Sequence, residues 1–179
     1  MIIGLSGYAQ VGKDTVANYL VERYGFVKVS FADPLREALY RLNPKVDIAD
    51  MRGVHLSAAV DGLGWENVKA DSPDTRELLQ RMGTEVGREM FGKDFWVNQG
   101  LLRAKEHDKV VFADARFENE AKAIQENGGQ VWRITKPGHG PVNGHLSEIA
   151  LDDYNFDWYI PNYTGFNDLY DLIDQIMQS

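Results

Sequence analysis

Residues 1–15, Met-Ile-Ile-Gly-Leu-Ser-Gly-Tyr-Ala-Gln-Val-Gly-Lys-Asp-Thr, set a buried-strand pattern directly against a Gly-x4-Gly-Lys loop that opens an amphipathic helix. In that order, the amides of a tightly curled loop and of a helix N-terminus converge on anionic oxygens, the geometry that holds a polyphosphate. Gly7 and Gly12 relieve the steric limits on the curl, and Lys13 reaches the β- and γ-phosphates. Tyr8, Ala9, Gln10, Val11, Gly12, Lys13, Asp14 and Thr15 are therefore expected to line a nucleoside triphosphate site. The residue after such a lysine is usually Ser or Thr, whose hydroxyl ligates Mg2+. Here Asp14 takes that place and Thr15 follows, so Asp14 either helps hold the metal through water or caps the helix.

With 179 residues and 44% hydrophobic content, the chain suits one α/β domain over 1–179 with a core of its own. The net charge of −8 argues against a sequence-independent hold on DNA or RNA, which needs a basic face. The absence of cysteine removes disulfides, a thiolate nucleophile and Cys-ligated zinc. No signal-peptide pattern and no apolar run near the ~20 residues of a membrane span are present, so a soluble, cytoplasmic protein without a membrane partner is expected.

Strand and helix patterns then alternate. Val16, Ala17, Leu20 and Tyr24 share a helix face that Gly25 ends, and Val27–Phe31 reads as a second strand. Pro34 opens a helix with Leu35, Ala38, Leu39 and Leu42 inward. From Pro44 to Ala70 the period weakens, and a mobile, irregular or short-helical insertion over about 44–72 is expected on the acceptor side. Ser72-Pro73 begins a helix carrying Leu78, Leu79, Met82, Val86 and Met90. A helix over 95–104, a strand over 109–113, a helix over 118–126 stopped by Asn127-Gly128-Gly129, and a strand over 130–134 follow. Residues 136–150 read as a Gly- and Pro-rich loop, a short lid. A strand at 158–160 and an amphipathic helix from Phe166 to Met177 close the order, and exposed Tyr170 or Met177 would suit a homodimer contact.

This rhythm implies a largely parallel, five-stranded sheet with helices on both faces, whose ligands bind beyond the carboxyl ends of the strands. The residues to watch are thus the phosphate loop, 31–36, 114–116 and 136 onward. They predict two anion pockets facing each other across one cleft.

Several motifs in fixed order carry a resemblance: Gly12-Lys-Asp-Thr15, Ala32-x-Pro34-Leu35-Arg36, Arg76-x-Leu-Leu-Gln80-x-x-Gly83-Thr84, Phe95-Trp96-Val97, Asp114-x-Arg116, Lys136-Pro-Gly138 and His145-x-Ser147-Glu148. Together they resemble the phage-type deoxynucleoside monophosphate kinases over nearly the whole chain. The resemblance implies a three-layer P-loop NTPase fold of the nucleoside-monophosphate-kinase kind. It also implies ATP- and Mg2+-dependent transfer of a γ-phosphoryl group to a dNMP.

Phosphoryl transfer asks mainly for alignment and for cations near the transferring oxygens, and the acceptor phosphate is already ionised, so no general base is required. Lys13 is the first such cation. Arg116 is the second, unless it is a helix-start arginine pairing with Glu120. Glu120 has a further reading, at the acceptor sugar or base. Asp114 ends a strand where it can orient Mg2+ or its waters, or cap the next helix. Asp33 stands before Pro34 with the same two readings. Arg36 and Arg76 lead as acceptor-phosphate contacts because guanidinium forks bind phosphate bidentately. Gln80 and Thr84 extend a polar stripe from Arg76 suited to reading the base, and Gly83 allows close approach. Phe31, Trp65, Phe95 and Trp96 are the stacking candidates, with Trp96 favoured. Lys136 is expected to approach ATP. The lid lacks arginine, so neutralisation falls on Lys13, Arg116 and Arg133. Other small-molecule P-loop kinases, acting on phosphomevalonate or dephospho-coenzyme A, and a non-catalytic ATP-binding switch remain the alternatives.

Overall fold

The computed structural model describes residues 1–141, 149–163 and 165–178. In chain order the elements are β1 (Ile2–Ser6), α1 (Lys13–Tyr24), β2 (Val27–Val29), α2 (Asp33–Leu42), β3 (Lys45–Ile48), β4 (Met51–His55), α3 (Leu56–Asp71) and α4 (Pro73–Arg81). A π-helical segment (Met82–Met90), α5 (Phe95–Ala104), β5 (Val110–Phe112), α6 (Glu118–Glu126), β6 (Gln130–Thr135), β7 (Trp158–Pro161) and α7 (Phe166–Gln178) complete them. They divide into two compact units, Met1–Phe31 with Leu101–Ser179, and Ala32–Gly100.

The first unit is built on a parallel sheet in the order β2-β5-β1-β6-β7. Ile3 pairs with Val111, Leu5 with Trp132 and Ile134 with Ile160, which aligns apolar side chains across neighbouring strands. Ile3 and Leu5 point to one face, where Val16, Ala17 and Leu20 of α1 and Leu169, Ile173 and Ile176 of α7 cover them. The intervening Gly4 faces the other way; a Cβ there would lie 2.5 Å from Ile124 Cδ1 of α6, so its missing side chain lets that helix close on the second face. Chain crossing leaves β1 toward β2 on one side and leaves β5 toward β6 on the other, so the loop after β1 lies at the point where strand order reverses.

The second unit contains a piece that periodicity did not reveal. Residues 44–71, within the stretch expected to be a mobile, irregular or short-helical insertion, form an antiparallel β3–β4 hairpin and then α3, a helix kinked into two pieces. Val46 and Ile48 bury against Leu35 and Leu39 of α2 and against Leu56, Ala59 and Val68 of α3, and Trp65 packs on this core. The helical pattern is masked because α3 breaks at Gly64 (φ 78°, ψ 155°), which resets the apolar register in mid-helix. Ser72 caps α4 as expected, accepting from the Thr75 amide at 3.1 Å. The helix read through to Met90 changes character at Met82, where α-helical winding gives way to π.

At the far end of the chain, Tyr170 and Met177 are half-buried rather than exposed. Tyr170 stacks on Tyr19 of α1 at 4.0 Å, and Met177 packs against the sheet core.

Candidate nucleotide-binding site

The loop between β1 and α1 curls through three left-handed residues, Gly7 (φ 144°), Gln10 (φ 61°) and Gly12 (φ 107°). A Cβ on Gly7 would stand 2.5 Å from the Ile134 carbonyl oxygen, so the glycine is required by space as well as by torsion. Lys13 Nζ donates to the carbonyls of Gly7 and Tyr8, both at 2.7 Å, and so bridges the loop it serves. Gly12 takes the N-cap of α1 and, having no side chain, makes no side-chain cap bond there. Asp14 therefore does not cap α1. Its exposed carboxylate meets Lys28 of β2 at 2.7 Å, a surface pair worth at most about 1 kcal/mol. Thr15, in the first turn of α1, is half-buried; Ala9 and Gln10 are exposed.

Three groups brace this loop. Asn162, after β7, donates through Nδ2 to the Val11 carbonyl at 2.9 Å and fills the space that a Gly12 side chain would need. Tyr8 donates its phenol to Asp152 at 2.8 Å. Burial first, and that hydrogen bond second, raise the Tyr8 phenol above its ordinary range. Arg133 of β6, 7% exposed, reaches Asp152 at 2.7 Å and Ser6 at 3.3 Å and lies over the Tyr8 ring at 4.7 Å. Arg133 is thus committed beneath the loop and does not face solvent. Asn162 and Asp152 carry no sequence signal: one stands alone after a strand, the other in an ordinary acidic pair.

Asp114, beyond the end of β5, accepts from the Ser30 hydroxyl and from the Phe31 amide at 3.3 Å, which ties it to the end of β2. Arg116, two residues on, is exposed, and its guanidinium has no partner among the described residues. It does not pair with Glu120. That carboxylate is buried and accepts from the Arg116 and Phe117 amides at 2.7 and 3.0 Å, closing the N-terminus of α6. Phe31 is 4% exposed and stacks on Phe112 at 4.2 Å, a core ring of this unit. Lys136 follows β6 and is exposed; of the expected lid, residues 142–148, including His145, Ser147 and Glu148, lie outside the described residues.

In the second unit, Asp33 is the first residue of α2, with Ala32 at the N-cap position. Arg36 pairs with Glu66 of α3 at 3.0 Å. Arg76 donates to the carbonyls of Lys69 and Ala70 at 3.2 and 3.0 Å, satisfying the end of α3. Gln80 and Thr84 are exposed. Gly83 accepts from the Trp96 indole at 3.1 Å.

Similarity to known proteins agrees with this arrangement. The sequence profile of the family described as deoxynucleotide monophosphate kinase matches residues 64–173, more than half of the chain. A protein of Acanthamoeba polyphaga mimivirus, to which that activity is provisionally ascribed, is 31% identical over 97% of this chain and 94% of its own length. The deoxynucleotide monophosphate kinase of Escherichia phage RB69 is 22% identical over 99% of both chains. Shikimate kinase from Aquifex aeolicus superposes with a TM-score of 0.50 at 13% identity, covering 99% of this chain and 96% of that one, which shows a shared P-loop kinase fold. With a phosphate loop set where strand order reverses and similarity running the length of both chains, this protein belongs to the deoxynucleotide monophosphate kinase family.

Proposed function

We propose that the protein transfers the γ-phosphoryl group of ATP to the phosphate of a deoxynucleoside monophosphate, giving ADP and the deoxynucleoside diphosphate. The observation that carries this reading is the preformed loop at 7–12, with Lys13 already bridging it and glycine at the N-cap of α1. On binding, the triphosphate replaces the two loop carbonyls as the partner of Lys13. Arg116 then supplies the second positive charge on the oxygens of the transferring group.

Mg2+ fits the donors present. Among the described residues no three His, Asp or Glu side chains converge as a cage. Mg2+ takes only one or two protein oxygens and leaves the rest to phosphates and water. The Asp114 carboxylate and the Thr15 hydroxyl are the oxygens we assign to it, with Asp14 acting through water once it parts from Lys28. When bound, the ion neutralises charge on the β- and γ-phosphates.

The acceptor contacts are Arg36 and Arg76 for phosphate and Gln80, Gly83 and Thr84 for the base. Arg36 must then exchange its Glu66 carboxylate, and Arg76 the α3 carbonyls, for phosphate oxygens. The Arg36–Glu66 pair, with the Glu66 side chain 76% exposed, is weak enough for that exchange. Family membership favours this reading over a kinase for another metabolite, and paired arginines in the second unit favour it over a switch that holds ATP alone.

A coupled ADP-release assay across the four dNMPs and their ribose counterparts tests it. Lys13→Ala should lower kcat/KM at least a hundredfold, while Arg76→Ala should mainly raise KM for the acceptor. Wild-type activity in both, with unchanged melting temperature, would remove these assignments.

A further inference from the structure

The Val11–Gly12 peptide lies between two fixed ends. Val11 is 1% exposed, its side chain in the core of the first unit, and the Gly12 carbonyl accepts from the Val16 amide at 3.0 Å as α1 begins. What remains to be set between them is the direction of one peptide plane. A trans peptide is planar with its C=O and N–H pointing opposite ways, so a flip would exchange the side that the Gly12 N–H faces. It would carry the Gly12 φ from 107° to about −73°. Glycine populates both signs of φ about equally, so this residue tolerates either orientation.

Asn162 selects one of them. Its backbone amide donates to the Thr135 carbonyl at 2.7 Å, continuing the β6–β7 ladder, so its side chain leaves from a fixed strand end. Its Nδ2 donates to the Val11 carbonyl at 2.9 Å, and a Cβ on Gly12 would lie 2.6 Å from that same nitrogen. The donor holds the carbonyl on its own side and thereby turns the Gly12 N–H to the other. We propose that Asn162 is a positioning residue for the triphosphate of ATP: its bond to Val11 keeps the Gly12 N–H directed at the phosphate oxygens before the nucleotide arrives. Binding then need not draw on a minor orientation of the loop, which would reduce the apparent affinity by the fraction competent. This rests on the ATP reading above, and it assigns Asn162 to the loop rather than to the nucleoside.

Calorimetric titration of wild type and Asn162→Leu in Mg2+ buffer tests this, with a non-hydrolysable ATP analogue and with inorganic tripolyphosphate as the two ligands. Leucine keeps the approximate shape of the side chain and loses the N–H. Kd for both ligands should rise about tenfold, a size that one hydrogen bond supports, while kcat and KM for the dNMP stay within twofold. Tripolyphosphate carries neither base nor sugar, so an equal loss for both ligands marks the loop. Labelling valine carbonyls with 13C and glycine nitrogens with 15N selects two peptides, Val11–Gly12 and Val86–Gly87, and Val86→Ile identifies the second. The Gly12 amide should give one resonance in free wild type, should broaden or double in Asn162→Leu, and should return to one when tripolyphosphate saturates the variant. Two Gly12 resonances in free wild type would overturn the proposal, a measurement that needs no variant to fold. An unchanged single resonance in Asn162→Leu, or unchanged Kd for both ligands, would overturn it too. So would a loss confined to the ATP analogue, which would set Asn162 against the nucleoside. If wild type binds neither ligand, the ATP reading itself falls and the positioning role with it.

Discussion

Arg133 lies almost wholly inside the first unit, its guanidinium between the Tyr8 ring at 4.7 Å and the Phe156 ring at 5.5 Å. A charge in that position needs its counterion. Asp152→Ala should destabilise the fold by about 2–4 kcal/mol, toward the lower end of a buried pair because the Asp152 side chain keeps 35% exposure. Urea unfolding of wild type, Asp152→Ala and Asp152→Asn checks this, with the amide variant recovering part of the loss through its remaining hydrogen bonds. Lys13, Gly7 and Gly12 were legible in the sequence because strand, loop and helix are neighbours along the chain. The surroundings of Arg133 were not, since its partner is 19 residues away and its aromatic walls come from a loop at 8 and another at 156. Glu120 was readable as a residue to notice, yet its capping bonds to the Arg116 and Phe117 amides depend on how tightly the chain turns there.

At the scale of elements, α7 is fastened to α1 through one carboxylate. Asp174 accepts from Tyr19 and Tyr24, both at 2.7 Å, and these bonds, with the Tyr24 contribution foremost, hold its carboxyl below the usual range. Burial first, then Asp174, pushes the Tyr19 phenol up to about 12. The signs differ. A depressed carboxyl stabilises the fold above its unfolded value near 4, and that stabilisation is lost as pH falls through the folded value. A raised phenol stabilises below about 10, and that contribution is lost as pH rises from about 10 to about 12. Melting temperature followed against pH should therefore fall at both ends, and Asp174→Asn should melt a few degrees lower near neutrality with a flatter acid limb. The strands and α1, α5 and α6 follow from apolar period, glycine stops and caps. The β3–β4 hairpin and α3 do not, because a bulge between Val46 and Ile48 and the break at Gly64 each shift the apolar phase. The π-helix escapes a reading based on 3.6 residues per turn for the same reason.

For the whole molecule, ligand linkage offers a test that needs no turnover. ATP at about a hundred times its Kd should stabilise the folded chain by about 2.7 kcal/mol, a rise in melting temperature of about 5–11 °C for a protein of this size, and Lys13→Ala should remove most of it. The sheet order carries a further consequence. In β2-β5-β1-β6-β7, the first strand pairs, among the described residues, with β5 and β6 alone, and the second with β5 alone. A ribosome therefore releases both β1 and β2 with no native neighbour for either. It must then complete all of Ala32–Gly100 before Val110 emerges to slot between them. The apolar Ile2–Ser6 segment waits unpaired through that interval, the stage of biosynthesis at which this chain most needs protection from aggregation.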